Sequence, residues 1–257
     1  PNPARDLTMP DAFQQLNRRG VEYSYVDVDE FNRNPGMVRD FAGVLYYNDQ
    51  PVELPDDIPV MQIFGWTPLR SRQDRVTVND FEIARMAAKF FLDAEVKRLA
   101  IVWRDDMLDY CKEHPRIICL EEQLNRAGIP TTSLCFSRKE SHFVQRLQHY
   151  LNEGGGQAGF FAFTGVCGLM LACALEGLQQ WKFYAPKHVL ICDNNALLKD
   201  FSPQPATIDL NFPMLTKRAV DGLLWRLENP AAPNVVVYQS PRLEFPEPFS
   251  DKMEELS

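Results

Sequence analysis

No apolar run in this chain approaches the roughly 20 residues that a helix needs to cross a bilayer, so the sequence offers no helical membrane span. Its six cysteines, Cys111, Cys119, Cys135, Cys167, Cys173 and Cys192, include no Cys-x-x-Cys pair. Its four histidines, His114, His142, His149 and His188, stand at no zinc spacing with a cysteine or carboxylate, and read as surface or cap residues. No metal or cofactor is expected. There is no Gly-x-Ser-x-Gly elbow, no P-loop and no His-Glu-x-x-His, so no local motif assembles a hydrolase or nucleotide-cleaving site. Positive charge is in short supply: 27 lysines and arginines against 35 acidic residues leave a net charge of −8. Phosphate backbones are bound by clustered cations that displace counterions, so this stretch of polypeptide is not expected to bind DNA by itself, nor a membrane. No signal peptide opens the sequence and no Asn-x-Ser/Thr sequon occurs. These points imply a reduced, cytoplasmic protein.

What remains is an ordinary globular composition, 45% hydrophobic and 24% charged over 257 residues. A chain of this length forms one large or two ordinary domains and buries about three-quarters of its unfolded surface. Strand and helix signals alternate throughout. The first ten residues carry three prolines and no periodicity. Asp11–Arg19 then reads as a helix stopped by Gly20, and Val21–Val28 alternates as a strand does. Strands follow at Phe41–Tyr47, Val60–Phe64 and Arg75–Val78, with Gly65–Gln73 as a loop. Asn79 caps a helix over Phe81–Ala94. Leu99–Trp103, a helix at Arg116–Arg126, Thr131–Phe136, and a helix at Ser141–Leu151 come next. Then come Gly159–Phe163, a helix over Cys167–Gln179, His188–Cys192, Ala206–Asp209, a helix over Met214–Leu227, and late strands at Val235–Tyr238 and Arg242–Phe245. Such alternation predicts doubly wound parallel sheets covered on both faces. Phe249–Ser257 reads as a frayed, charged tail. A βαβ protein ordinarily opens with a strand, and here a helix comes first, which suggests that an opening strand lies outside this numbering.

In open α/β sheets ligands bind at the carboxyl ends of the strands. Asp193, delivered to such an edge by an apolar strand, is therefore a candidate site residue. A carboxylate accepts paired hydrogen bonds and so suits vicinal hydroxyls, although Asp193-Asn194-Asn195 also reads as an Asx turn. Trp66, Trp103 and Phe163 fall at strand ends, where an aromatic face either stacks on a sugar ring or joins the core. Asp105 and Asp106 follow a strand end as cleft or solvated-loop residues. Asp209 and Asn211 stand at a strand end before a helix. Gly154-Gly-Gly-Gln-Ala-Gly159 matches the dinucleotide fingerprint literally, but a helix precedes it and a strand follows, the reverse of what pyrophosphate binding requires.

Five pieces in order, Phe41-Ala-Gly-Val-Leu45, Ile58-Pro-Val60, Val76-Thr-Val-Asn-Asp80 with Ala84-Arg-Met-Ala-Ala88, Tyr184-Ala-Pro-Lys-His-Val-Leu-Ile-Cys-Asp193, and Ala206-Thr-Ile208 with Arg218–Leu224, give residues 11–245 a pattern that resembles the effector-binding domain of LacI/GalR-type transcription regulators. The resemblance implies the type I periplasmic-binding-protein-like fold. Two doubly wound lobes would be joined by three crossovers near Glu95–Arg98, Asn211 and Ser240. The N-terminal lobe would be 1–95 plus 211–238, the C-terminal lobe 96–210 plus 239–250, and the tail 251–257. It further implies a small sugar-like effector held in the interlobe cleft, a homodimer, and DNA contact only through a module not in this chain.

The resemblance also places the family's effector-clamping arginine on Arg116, whose rigid donor fork suits hydroxyl pairs or a carboxylate. The family's aspartate falls on Asp193, and its Asn-Asp pair falls on Thr164-Gly165, a departure. Its Asp-Arg pair falls on Phe64-Gly65, another departure, and a helix glycine on Cys119. Two other readings stand beside the regulator: a solute-binding receptor of a transport system, and an enzyme built on a doubly wound sheet.

Overall fold

The structure is a computed structural model, and it describes residues 3–47, 54–64, 73–107, 112–137, 142–153 and 157–246. The chain forms two compact units. The first comprises Pro1–Asn79 and Asn211–Ser240, the second Asp80–Leu210 and Pro241–Ser257.

The first unit holds helix α1 (Pro3–Arg18), a short helix α2 (Val28–Arg33), and strands β1 (Val44–Tyr47), β2 (Val60–Ile63) and β3 (Asp74–Val78). The four-stranded sheet has the order β1-β2-β3-β9, where β9 is Val236–Gln239, and every pairing is parallel. Val44 pairs with Val60, Met61 with Asp74, and Arg75 with Val236. The long helix Phe212–Glu228 packs on this sheet and against α1. It starts at Asn211, which adopts a left-handed φ of 52° and accepts a hydrogen bond from the Met214 amide at 3.3 Å, an N-cap. The expected strand at Val21–Val28 does not form: residues 21–27 join no ladder and no helix, and most are exposed. The helix before them is longer than the pattern predicts, because Pro10 lies inside it and conceals its first turns from a propensity reading.

One buried ion pair anchors the far end of this unit. Arg226, near the end of the long helix, donates through Nε to Asp74 Oδ2 at 2.6 Å and through a terminal nitrogen to Oδ1 at 2.8 Å. Its remaining donors reach the carbonyls of Asn229, Ala232 and Pro233. The guanidinium thus ties the helix end, the loop after it and the start of β3 together.

The second unit opens with α3 (Asp80–Asp93) and continues through β4 (Arg98–Arg104), α4 (Pro115–Arg126), β5 (Thr131–Phe136), α5 (Phe143–Asn152), β6 (Ala158–Ala162), α6 (Gly165–Gly177), α7 (Trp181–His188), β7 (Val189–Cys192) and β8 (Ala206–Asp209). With α8 as the long helix of the first unit (Phe212–Glu228), the last strand is β10 (Arg242–Glu244). The sheet order is β10-β8-β7-β6-β4-β5. β4 to β8 are parallel, whereas β10 runs antiparallel to β8 with Arg242 opposite Asp209, so this sheet is mixed and the all-parallel expectation needs correction there. An edge strand that runs antiparallel to its neighbour needs no crossover helix.

The central strands are buried on both faces and read as continuous apolar runs, Phe160-Phe-Ala and Val189-Leu-Ile-Cys. α6 is apolar almost all round and approaches β7 closely: a Cβ on Gly168 would stand 2.4 Å from Ile191 Cγ2. α7 was not apparent from the sequence pattern, since Pro186 sits within it and its buried positions are few. The first pass between units falls at Asn79–Asp80, ahead of α3, where the sequence reading sets it after that helix at Glu95–Arg98. The reason is packing: α3 buries Ile83, Ala84, Ala87 and Phe91 and packs on α4.

Removing one member of a buried ion pair leaves an uncompensated charge, at a cost of about 3–5 kcal/mol. Asp74→Ala should therefore lower the unfolding free energy by about 3–5 kcal/mol in urea denaturation, whereas Asp221→Ala, which removes an exposed partner of Arg19, should change it by less than about 1 kcal/mol.

Candidate functional site

The carboxyl edge of the second sheet gathers Arg116, Asp80, His114, Phe163, Thr164, Cys192 and Asp193. Arg116 is the second residue of α4 and only 6% exposed. A buried guanidinium needs its donors satisfied. Its Nε and one terminal nitrogen both reach Asp80 Oδ1, at 3.0 and 2.8 Å, and the other terminal nitrogen reaches the Phe163 carbonyl at 3.2 Å and Cys192 Sγ at 3.1 Å. Its guanidinium carbon also lies 4.9 Å from the centre of the Phe163 ring, a cation–π contact. The arginine is fixed from three sides, by the first turn of α3, the end of β6 and the end of β7.

His114 caps α4, accepting the Arg116 amide on Nδ1 at 3.3 Å, and its ring meets Phe163 edge-on at 5.1 Å between centroids. Burial, followed by the neighbouring Arg116 charge, lowers its pKa from 6.5 to about 4 against the opposing pull of Asp80. It is a neutral cap at physiological pH. The sequence reading of His114 as a surface or cap residue is right about the cap and wrong about exposure. His188, also read as surface, is buried as well. The His114 ring lies against Phe163, distant in sequence, whereas the His188 ring packs against Phe183 and Tyr184 of its own helix.

Asp193 follows β7 with φ at 84°, a left-handed conformation that aspartate tolerates better than most residues. It is 8% exposed, and its Oδ1 is buried with no hydrogen-bond partner among the described residues. Burial pushes its carboxyl from 3.8 up to about 6; Arg116 and a hydrogen bond from the Gly165 amide pull it down, and Asp209 pushes it further up. Gly165 is required here, because a Cβ would stand 2.8 Å from Asn195 Cβ and 3.4 Å from Asp193 Oδ2. The first turn of α6 thereby brings backbone donors to the carboxylate, the favourable end of a helix for an anion. Cys192 beside it has its thiol pushed up to about 12 by burial, so it meets Arg116 as a neutral sulfur.

The remaining sequence candidates are placed as follows. Phe163 is buried against Arg116 and His114. Thr164 caps α6, its hydroxyl accepting the Cys167 amide at 3.3 Å. Asp209 ends β8, half-buried, and is close enough to Asp193 to raise its pKa. Trp103 is only 1% exposed and donates Nε1–H to Cys135 Sγ at 2.8 Å, so the core takes it up rather than this edge. Asp105 is exposed and accepts the Asp106 amide in a 3-10 turn. Trp66 lies outside the described residues. Asp80 was not singled out from the sequence as a site residue, although it closes the segment Val76-Thr-Val-Asn-Asp80 on which the resemblance rests. Among the described residues no group of three or more His, Cys, Asp or Glu side chains is placed to hold a metal ion.

The sign of each titration follows from its shift. Asp193 binds its proton more tightly folded than unfolded, so it makes stability fall as pH rises from about 4 to about 6. His114 does the opposite, binding its proton more tightly when unfolded, so it makes stability rise from about pH 4 to 6.5. The two effects offset each other in the parent. Relative to the parent, the melting temperature of Asp193→Asn should climb across this range and that of His114→Gln should drop; difference profiles flat with pH for both variants would contradict the assignment.

No family model matches the sequence, and no curated protein matches it significantly. Solved structures do. A LacI family transcriptional regulator from Enterococcus faecium with bound ribose superposes with a TM-score of 0.74 at 17% identity, covering 95% of this chain and 92% of that one. One from Arthrobacter sp. FB24 in complex with lactose gives 0.75 at 15% identity, over 95% and 93% of the two chains. A putative ribose operon repressor from Burkholderia thailandensis gives 0.72 at 14%, over 95% and 94%. At these identities the likeness is one of fold: the chain has the α/β, periplasmic-binding-protein-like fold of the LacI-family regulator structures.

Proposed function

We propose that this protein is the ligand-sensing domain of a transcription regulator and that it binds a small sugar-like molecule at the carboxyl edge of the sheet in its second unit. The observation that carries the reading is the juxtaposition of a buried, fixed guanidinium, Arg116, and a buried carboxylate, Asp193, whose Oδ1 finds no donor among the described residues. An orphaned buried acceptor costs about 1–3 kcal/mol, and a ligand hydroxyl relieves that cost. Thr164, Phe163 and Asp209 border the same edge, where the buried Phe163 ring backs Arg116. Trp66, a candidate from its position at an expected strand end, lies outside the described residues.

The similar structures with bound ribose and lactose support a sugar as the ligand class. Their description as transcriptional regulators and repressors supports sensing over turnover, so the role is binding without catalysis. A regulator of this kind works in the cytoplasm as a homodimer and contacts DNA through a module outside these 257 residues. The chain's net charge of −8 fits that division of labour.

A calorimetric screen of pentoses, hexoses and disaccharides should find a ligand. At about a hundred times its dissociation constant that ligand should stabilise the fold by about 2.7 kcal/mol. Asp193→Asn should weaken it about 10- to 100-fold, in line with a hydrogen bond to a charged group, while leaving the protein folded. Unchanged affinity in that variant, or conversion of the sugar to a product, would overturn the reading.

A further inference from the structure

The charges at the carboxyl edge of the second sheet do not balance, and the imbalance bears on what a ligand there must carry. Arg116 and Asp80 cancel. The guanidinium places Nε and one terminal nitrogen on Asp80 Oδ1, at 3.0 and 2.8 Å, and its other terminal nitrogen is taken up by the Phe163 carbonyl and Cys192 Sγ. His114 beside them is neutral at physiological pH, and so is the Cys192 thiol. That leaves Asp193, which is 8% exposed and whose Oδ1 has no hydrogen-bond partner among the described residues.

Among the described residues no cation is paired with Asp193. Arg116 is committed to Asp80 and acts on Asp193 only through space. Arg104, at the end of β4, is held by Asp106 at 2.8 and 3.0 Å. Arg242 stands opposite Asp209 in the β8–β10 ladder but is exposed, so water and salt screen its charge. Asp209 adds negative charge on the same side.

A buried carboxylate without a counter-ion is among the costliest groups to leave unmatched. A ligand hydroxyl brings it a hydrogen bond but no charge. An ammonium brings both, and hydrogen bonds between oppositely charged groups are the stronger class. A ligand carboxylate or phosphate meets the reverse case: the guanidinium that could receive it is already neutralised, and Asp193 repels it. Asp80, the first residue of α3, decides between the two. Without its charge Arg116 would stand at the edge as an uncompensated cation, a ready receptor for carboxylates and phosphates.

We infer that this edge selects a sugar bearing an ammonium group, an amino sugar whose nitrogen pairs with Asp193, and that Asp80 sets the preference by cancelling Arg116. The inference rests on the sugar-sensing reading and names the ligand class within it.

Titration calorimetry of the 257-residue chain at neutral pH tests it. Pentoses and hexoses are each compared with their amino, N-acetylamino and carboxylate counterparts. An amino sugar should bind at least about ten-fold tighter than the neutral sugar of the same ring. The N-acetyl counterpart keeps an N–H but loses the charge, and should lose that advantage; the carboxylate counterpart should not bind. Asp193→Asn should bring the amino-to-neutral affinity ratio down to about one. Asp80→Asn, which keeps the shape of the side chain and removes its charge, should admit the carboxylate counterparts. If circular dichroism shows that Asp80→Asn does not fold, the parent panel and Asp193→Asn decide. A neutral sugar bound as tightly as its amino counterpart, a carboxylate sugar bound as tightly by the parent, or an amino preference that survives Asp193→Asn overturns this inference and leaves the regulator reading standing. A folded Asp80→Asn that still rejects carboxylates overturns the role of Asp80. A panel in which no carbohydrate binds overturns both this inference and the reading beneath it.

Discussion

A guanidinium removed from water must have its donors met, and the carboxyl edge of the second sheet is organised around that demand. Arg116 takes its partners from α3, from the end of β6 and from the end of β7. Three elements far apart in sequence are thereby held at one point. The consequence for Asp193 is indirect. Because Arg116 donates to Asp80, to a carbonyl and to a thiol, its charge reaches Asp193 only through space, and burial wins: the carboxyl sits at about 6 rather than well below its ordinary range. Arg116 is thus held by Asp80, while Asp193 keeps one buried oxygen without a partner among the described residues, so the two do not neutralise each other through a direct ion pair.

The glycine at position 165 is part of the same arrangement. It lets the first turn of α6 close on the Asp193–Asn195 loop, so that a helix N-terminus and a left-handed aspartate share one small volume. Thr164 serves as cap rather than as an acidic or amide ligand. Where the family pattern has an Asn-Asp pair, this chain thus has a capping hydroxyl and a close-approach glycine.

Much of the secondary structure was legible because it rests on local signals. Pro115 opens α4, the apolar runs of β6 and β7 are long enough to read as buried strands, and Asp193 is conspicuous as the first charge after an apolar strand. Arg116 was legible only through the family pattern, since an arginine after a proline at a helix start is an ordinary surface arrangement. Trp103 read equally well as an edge aromatic or as core, and its indole donates to Cys135 in the core. Asp80 and the burial of His114 were not legible, because their significance depends on an arginine 36 residues from Asp80 along the chain.

The sequence by itself determined the order and kind of most elements, the acidic balance of the surface, and the presence of a carboxylate at a strand end. These follow from periodicity, capping and composition, which act over a few residues. Tertiary structure decided which strands pair, that β10 runs antiparallel on β8, that residues 21–27 stay outside the sheet, and that Asp80 rather than Asp193 holds Arg116. Sheet pairing and buried ion pairs join residues distant in sequence, and their energies depend on burial, which no local pattern specifies.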